Sequence, residues 1–585
     1  MILTADFETN NYADDCRVWS WGLCDVTNPD IYMNGKTIEE FIETIKLLSY
    51  EEKITIWFHN LKFDGSFIMY YLLTHGYAYV EDSNTYCPNS VSALIGDMGQ
   101  WYSMHINFRG AVKEGSVTIN DSMKVLPFSV ASVARSFGLE ESKGTIDYQK
   151  WRAPDYELTP EEYEYQKTDC TIMAKALNRM HHESMTRITA GANALANYKK
   201  SVTKREYEKW FPEIDCDDFI RKSYRGGWVY ANPKYRGKKV GKGRVYDVNS
   251  LYPSRMRYEL FPYGTPTYYT GAYKEDKSHP LYVQRLECSF ELKRGKLPTI
   301  QIKGSTRFHD TEYVTTSNGE IQELTLTSVD LKLFLEHYNV KRLVYLDGYK
   351  FKAQYGMFNA YIDYWIDRKV EAEKHDDKAG RTLAKLYQNS LYGKFAKRPK
   401  TARKHPYIED CILKFRLGEE EEVGALYIPV GTFTTAYARY YTITGAQKNY
   451  KVFLYADTDS LHLLGDKEPI GIVVDKYKLG AWKHESTFIR AIYIGSKCYI
   501  EEEIHTPEEV AKYKEENPDN IGLIDEKKNT ILKITCAGMP ERLHKKVRFD
   551  DFKVGWKSGG KLIPKQVPGG VVLIDTTFEI KERIC

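Results

Sequence analysis

The sequence predicts a multidomain α/β chain in which strands and helices mix in the α+β manner. Three observations carry this. The chain has 585 residues, 42% hydrophobic and 28% charged, enough for several buried cores and too apolar for a disordered protein. Short β-prone runs end repeatedly in acids, as in Ile2-Leu3-Thr4-Ala5-Asp6-Phe7-Glu8-Thr9 and Lys451-Val452-Phe453-Leu454-Tyr455-Ala456-Asp457. Between them lie helical stretches with start and stop signals.

Composition narrows the function. Net charge is only +3, so a nucleic-acid partner would need basic surface gathered locally. The 46 tyrosines can stack on bases, although strands and cores use most such rings. Ten cysteines occur without a Cys-x-x-Cys, which argues against zinc and a disulfide framework and fits a reducing cytoplasm. No apolar run approaches the ~20 residues of a membrane helix, and no signal-type leader is expected.

Asp6 and Glu8 are two apart on an expected strand and so share a face; an exposed edge would show the same spacing. Ile54-Thr55-Ile56-Trp57-Phe58 reads as a second strand. Asp64 adds a third carboxylate just past its end, Asn60 can hydrogen-bond a nucleic-acid strand and Phe63 can stack on a base. Thr159-Pro160-Glu161-Glu162 opens a helix that puts Tyr165 and Asp169 on one face, a spacing also common in plain surface contacts. Asp6, Glu8, Asp64 and Asp169 together could hold two metal ions about 3.5–4 Å apart for phosphodiester hydrolysis. Tyr165 would orient the water and Lys143 offset phosphate charge.

Farther on, Tyr224-Arg225-Gly226-Gly227 is a basic, Gly-rich connector, either a plain turn or a phosphate contact. Gly243 to Asp247 reads as a strand running into a turn marked by Pro253. Asp247 is the partner of Asp459 in the turn Asp457-Thr458-Asp459, where a hard cation would find carboxylate oxygens and the Val248 carbonyl. Acids in a solvated turn are the ordinary alternative. Tyr252 would lie under a nucleotide sugar and leave no room for a 2′-OH. Residues 383–393 read as a helix ended by Gly393. Lys385, Asn389 and Tyr392 share one face, suited to a triphosphate and a nascent base pair, or simply to solvent. Lys369 is a second phosphate contact for which Arg381 competes. Basic and aromatic residues from Lys545 to Lys565 suit a backbone-tracking groove or a solvated surface.

Asp-x-Glu, Asn-x-x-x-Asp and Tyr-x-x-x-Asp, in that order, resemble the three motifs of proofreading 3′–5′ exonucleases of the DnaQ/RNase H-like fold. Asp247-x-x-Ser250-Leu251-Tyr252-Pro253, Lys385-x-x-x-Asn389-Ser390-x-Tyr392-Gly393 and Tyr455-x-Asp457-Thr458-Asp459-Ser460 resemble family B DNA polymerases. Lys497-Cys498-Tyr499 resembles their primer-terminus element. The 138 positions from Asp247 to Lys385 and the 72 from Lys385 to Asp457 leave room for two insertions. With His59-Asn60-Leu61-Lys62-Phe63-Asp64-Gly65 and Val567-Pro568-Gly569-Gly570, they resemble the protein-primed, phi twenty-nine-like phage replicases.

The resemblance implies a right-hand polymerase joined to the exonuclease. It divides the chain into exonuclease 1–190, palm 191–258 and 428–530, a terminal-protein-contacting insertion 259–356, fingers 357–396, a strand-displacement insertion 397–427 and a mostly β thumb 531–585. It implies catalysis by Asp247, Asp457 and Asp459. It implies DNA contacts at Thr9, His59, Asn60, Phe63, Tyr148, Tyr224, Arg225, Gly226, Gly227, Ser250, Ser390, Gly393, Thr458, Lys497 and Tyr499. Mg2+ at two ions per site, with Mn2+ an alternative, and dNTPs follow. The implied partners are template and primer DNA, a terminal protein as primer and a phage single-stranded DNA-binding protein. The implied setting is a monomer without membrane attachment in the cytoplasm of an infected bacterial host. The charged segment 371–378 is longer than the resemblance leads one to expect. The rival readings are a nucleic-acid-primed family B polymerase, a reverse transcriptase, whose hairpin usually carries adjacent aspartates, and a DNA-binding scaffold without activity.

Overall fold

The computed structural model describes residues 1–582 apart from 83–86, 111–112, 142–143, 145 and 149. Eight strands build a first sheet: β1 (Ile2–Thr9), β2 (Val18–Asp25), β3 (Tyr32–Gly35), β4 (Ile54–Phe58), β5 (Ala78–Tyr79), β6 (Ser90–Ile95), β7 (Trp101–Arg109) and β8 (Glu114–Asp121). Their order is β3-β2-β1-β4-β8-β7-β6-β5, with β1, β4 and β8 mutually parallel and β2 antiparallel to both neighbours. This is the RNase H-like arrangement. The two strands expected from the sequence are its centre, buried on both faces as their near-continuous apolar runs require. The helix Pro160–His182 opens with the capping box of Thr159 and Glu162. It lies against β1, where the Thr4 hydroxyl donates to the Cys170 carbonyl at 2.9 Å. Tyr165 and Asp169 are therefore each only 5% exposed, not surface contacts.

A second sheet starts with β9 (Val229–Ala231), β10 (Lys239–Val240) and β11 (Gly243–Val248). The expected turn after β11 is instead a helix, Leu251–Tyr258. Pro253 is its third residue, inside the first turn, where a missing N–H leaves no helical hydrogen bond unmade. The chain then builds a separate sheet from β12 (Phe261–Thr270), β13 (Leu281–Leu292), β14 (Gln322–Thr327) and β15 (Tyr338–Gln354), in the order β12-β15-β13-β14. Two helices follow, Asn359–Lys374 and Lys378–Phe395. The second begins earlier than expected and runs past Gly393, because fully buried Phe395 keeps the last turn seated in the core. A hairpin of β16 (Lys400–Glu409) and β17 (Ile412–Glu422) precedes the buried helix Ile428–Lys448.

The chain then returns to the second sheet with β18 (Phe453–Asp457), β19 (Ser460–Leu464), β20 (Trp482–Gly495), β21 (Cys498–Ile504), β22 (Ile524–Asp525) and β23 (Thr530–Cys536). The order is β22-β23-β21-β20-β11-β19-β18-β9, with β10 also on β20. Because β23 pairs with β21 along its whole length, the sheet continues past the expected palm boundary at residue 530. A last hairpin, β24 (Lys557–Val567) and β25 (Gly570–Glu579), follows.

The tip of that hairpin seats on the first sheet's surroundings. Gln566 donates to the Ser66 hydroxyl at 3.2 Å, and Asn11 donates to the Leu573 carbonyl at 3.0 Å. Gly569, at φ +93°, approaches so closely that a Cβ would lie 2.0 Å from the Cys16 carbonyl oxygen. Gly569→Ala should therefore lift the tip. Hydrogen exchange across 557–579 should speed up. Unchanged exchange would show that the contact does not hold the hairpin.

Candidate active sites

The larger cleft, about 570 Å³, lies over the middle of the second sheet. The β18–β19 hairpin places Asp457 opposite Ser460, and β11 places Asp247 opposite the same Ser460. The Val248 N–H donates to the Asp459 carbonyl at 2.8 Å. Thr458 takes φ +60° at the tip, held by its N–H to the Trp228 carbonyl at 2.8 Å and by the Thr442 hydroxyl on its own carbonyl at 2.7 Å. Gly227 allows this approach: a Cβ there would be 2.5 Å from the Thr458 hydroxyl.

Backbone pairing thus sets two carboxylates side by side. Burial, then the charges of Asp459 and Glu485, push the Asp247 carboxyl up to about 7 despite Lys385 and Lys483. Burial also raises Asp459, with Asp457 adding to it. Asp457 itself is held by the chain: Lys497 Nζ lies 3.2 Å from one oxygen, and the Tyr455 hydroxyl donates to the other at 3.3 Å. The Lys497 N–H in turn donates to Tyr455 at 3.0 Å. Asp247, Asp457 and Asp459 all line the cleft, and Asp457 is in addition tied to the Lys497 turn.

Tyr252 and Tyr392 form one wall, ring centroids 4.1 Å apart. The charge of exposed Lys385 reaches both Asp247 and Asp459. Asn389 donates back to the Lys385 carbonyl at 2.8 Å, and the Ser390 hydroxyl caps Leu386 at 2.6 Å. Gly393 opens onto empty space. Ser250, at φ +51°, donates to Gln388 at 3.0 Å. Burial lowers the Lys369 ammonium, and Arg381, Lys385 and Lys483 oppose it further. Arg381, the rival phosphate contact, is 3.0 Å from Glu373. Tyr499 lines the same cleft.

The connector differs from expectation. Buried Arg225 turns its guanidinium onto the Lys222, Tyr224 and Gln301 carbonyls rather than outward. The carbonyls of Arg225 and Gly226 accept from Arg439 at 2.7 and 2.8 Å, and Arg439 is paired with Asp330 at 2.7 Å. The conformation of 224–227 is thus fixed from its backbone side.

The smaller cleft, about 350 Å³, brings together Asp6, Glu8, His59, Asn60, Phe63, Asp64, Tyr148, Tyr165 and Asp169. Asp64, past the end of β4 as expected, stands in the first turn of the helix Leu61–Thr74. There the helix N-terminus favours an anion, yet burial and then the Asp6 charge push its carboxyl well up. Tyr165 and Tyr148 share a hydrogen bond at 2.7 Å, and burial and Asp169 raise the Tyr165 hydroxyl. His59 is fastened to the Phe128 carbonyl at 2.7 Å and the Ser122 hydroxyl at 2.9 Å. Asn60, at φ +76°, donates its N–H to Asp121 at 3.0 Å. Thr9 ends β1 outside the cleft walls. Lys143 lies outside the described residues.

Sequence reasoning missed Ser122, Asp121, Glu485, Lys483, Arg439, His462 and Lys533. A lone Arg in the apolar 428–448 stretch was a usable signal, since buried Arg is rare unless paired. Among the described residues no three His, Cys, Asp or Glu side chains close into a ready-made cation cage. Two carboxylates on an open cleft still fit Mg2+, which is bound by one or two carboxylates plus waters and substrate phosphates.

Paired acids over one sheet and a second acid-lined cleft on an RNase H-like sheet make two separate candidate sites. A sequence profile of "DNA polymerase type B, organellar and viral" matches residues 46–155 and 146–476. The chain is 45% identical to the DNA polymerase of Bacillus phage Nf and 43% identical to that of Bacillus phage phi29, over 99% of each chain. It is 35% identical to that of Streptococcus phage Cp-1, over 99% of this chain and 98% of the relative. Phi29 DNA polymerase complexed with primer-template DNA and incoming nucleotide superposes with a TM-score of 0.89 at 40% identity, over 99% of this chain and all of that one. The chain belongs to the type B DNA polymerases, in their phi29-like branch. It is a replicative enzyme, and this membership carries protein priming, strand displacement and 3′–5′ exonuclease activity.

An unfolded Asp loses its proton near the ordinary ~3.9, whereas folded Asp247 keeps it to about 7. Between those values the native state binds the extra proton, so stability falls as pH rises through that window. Asp247→Asn should therefore raise the melting temperature of the metal-free protein at pH 8 and change it little at pH 4. An equal effect at both pH values would contradict the assigned repulsion.

Proposed function

We propose that the larger cleft adds dNTPs to a DNA 3′-OH, or to a hydroxyl on a terminal protein, and that the smaller cleft trims mispaired ends. The observation that carries this is the meeting of Asp247 and Asp459 on one open cleft, each carboxyl raised by burial and by neighbouring acids. The phi29 enzyme's complex with primer-template DNA and incoming nucleotide supports the reading.

Asp247 and Asp459, with the Val248 carbonyl, would hold two Mg2+ ions, with Mn2+ an alternative. When bound, these would lower the primer hydroxyl's pKa and neutralise triphosphate charge. Asp457 fixes the Lys497 turn against the acids. Lys497 and Tyr499 hold the primer end, helped by Ser250, Thr458, Ser390 and Gly393. Tyr252 excludes the ribose 2′-OH, Tyr392 meets the new base pair, Lys385 and Lys369 meet the phosphates, and Asn389 completes the nucleotide-binding face. The connector 224–227 passes the primer between clefts. In the smaller cleft Asp6, Glu8, Asp64 and Asp169 would take the cations, with Tyr165 to orient water and Lys143 to offset charge. Thr9, His59, Asn60, Phe63 and Tyr148 grip the frayed strand.

The division into exonuclease 1–190, palm, insertions 259–356 and 397–427, fingers and thumb follows the same reading, with the palm sheet extended through Cys536. So do a monomeric state, a phage single-stranded DNA-binding partner and the cytoplasm of an infected bacterial host. Among the described residues no helix is long and apolar enough to cross a membrane.

Asp247→Asn should lower dNTP incorporation at least about a hundredfold and leave exonuclease on single strands intact. Asp6→Ala with Glu8→Ala should do the reverse. Loss of both activities in either variant would contradict two separate sites.

A further inference from the structure

Beneath the larger cleft lies a buried polar group that the reaction itself does not use. His462 on β19 is 1% exposed and Glu501 on β21 is 0% exposed. Nδ1 of His462 lies 2.6 Å from Glu501 Oε1, and the Tyr493 hydroxyl donates to the same oxygen at 2.6 Å. On its other side, His462 Nε2 is 3.3 Å from the Ser460 hydroxyl, which accepts the Asp457 N–H at 3.2 Å. The ring is boxed edge-on by Tyr455, Tyr493 and Tyr499, at centroid distances of 5.1, 5.6 and 5.3 Å.

The sheet order makes this contact informative. Strands β19 and β21 are separated by β11 and β20, which in a flat sheet would put them about 14 Å apart. Direct contact between their side chains means that the sheet curls on itself here. The contact ties the strand that begins just past the acidic turn to the strand that begins just past Lys497. Within this fold its job is geometric.

We propose that Glu501 and His462 are positioning residues for synthesis: they set the distance between the catalytic acids and the primer-holding turn. This rests on the assignment of the larger cleft to synthesis. A buried carboxylate–imidazole contact is a poor source of net stability, since an apolar pair of similar volume often serves as well. Its directionality is what an apolar pair cannot copy. Glu501→Gln retains acceptors for His462 and Tyr493; Glu501→Leu retains none.

The test is pre-steady-state single-nucleotide incorporation alongside single-strand exonuclease and thermal melting. Glu501→Leu should slow the incorporation step by about tenfold or more, the scale of a lost charge-assisted bond, with little change in the dNTP concentration for half-maximal rate. Glu501→Gln should recover most of the rate, and exonuclease should be unaffected. Because Glu501→Leu alone strands His462 and could unfold the chain, the double variant His462→Phe with Glu501→Leu removes both polar partners. It should melt near wild type yet incorporate as slowly as the single variant. A double variant with normal incorporation would overturn the proposal, as would parallel loss of synthesis and exonuclease or a loss confined to dNTP affinity. If Asp247→Asn left synthesis intact, the cleft assignment would fall instead, independently of these variants.

Discussion

Asp247 and Asp459 are brought together by backbone pairing that takes no account of their charge. β11 puts Asp247 opposite Ser460, the residue that follows Asp459, and partial burial limits the water that screens the repulsion. The raised Asp247 carboxyl records that conflict. A proton relieves it at low pH and a divalent cation would relieve it at neutral pH. Folding therefore prepares a site of negative potential that the protein alone leaves unbalanced, and the surrounding elements serve to hold it open.

Those elements come from distant parts of the chain. The Lys378–Phe395 helix supplies Tyr392 and Lys385, the Leu251–Tyr258 helix supplies Tyr252, and the turn before β21 supplies Lys497. Arg439, from the Ile428–Lys448 helix, clamps the 224–227 backbone while paired with Asp330 of the β12–β15 unit. One buried guanidinium thus fixes the 224–227 backbone relative to the β12–β15 unit. The smaller cleft repeats the physics: Asp64 is crowded by Asp6 until its proton is hard to remove.

What the sequence showed was local. β1, β4, the acidic hairpin and the Thr159 capping box each follow from a few adjacent residues, and all are present where expected. Pro253 and Gly393 were misread because rules for breaking a helix yield in its first turn and beside a buried Phe395. Glu485, Arg439, His462 and Glu501 could not be read as a group, because only the curled sheet and the helix packed on it bring them near the acids. The inward turn of Arg225 is partly local: two of its carbonyl partners are on Lys222 and Tyr224, and only the third, on Gln301, is 76 positions away.

The most direct measurement uses one primer on a circular single-stranded template with dNTPs, Mg2+ and no accessory protein. Products are sized on a denaturing gel. Products many times longer than the circle are predicted, because the same chain must synthesise and displace the strand ahead of it. Products that stop at one circle length would contradict the role given to the 397–427 insertion. No extension, with intact template and metal present, would contradict the assignment of Asp247 and Asp459 to synthesis.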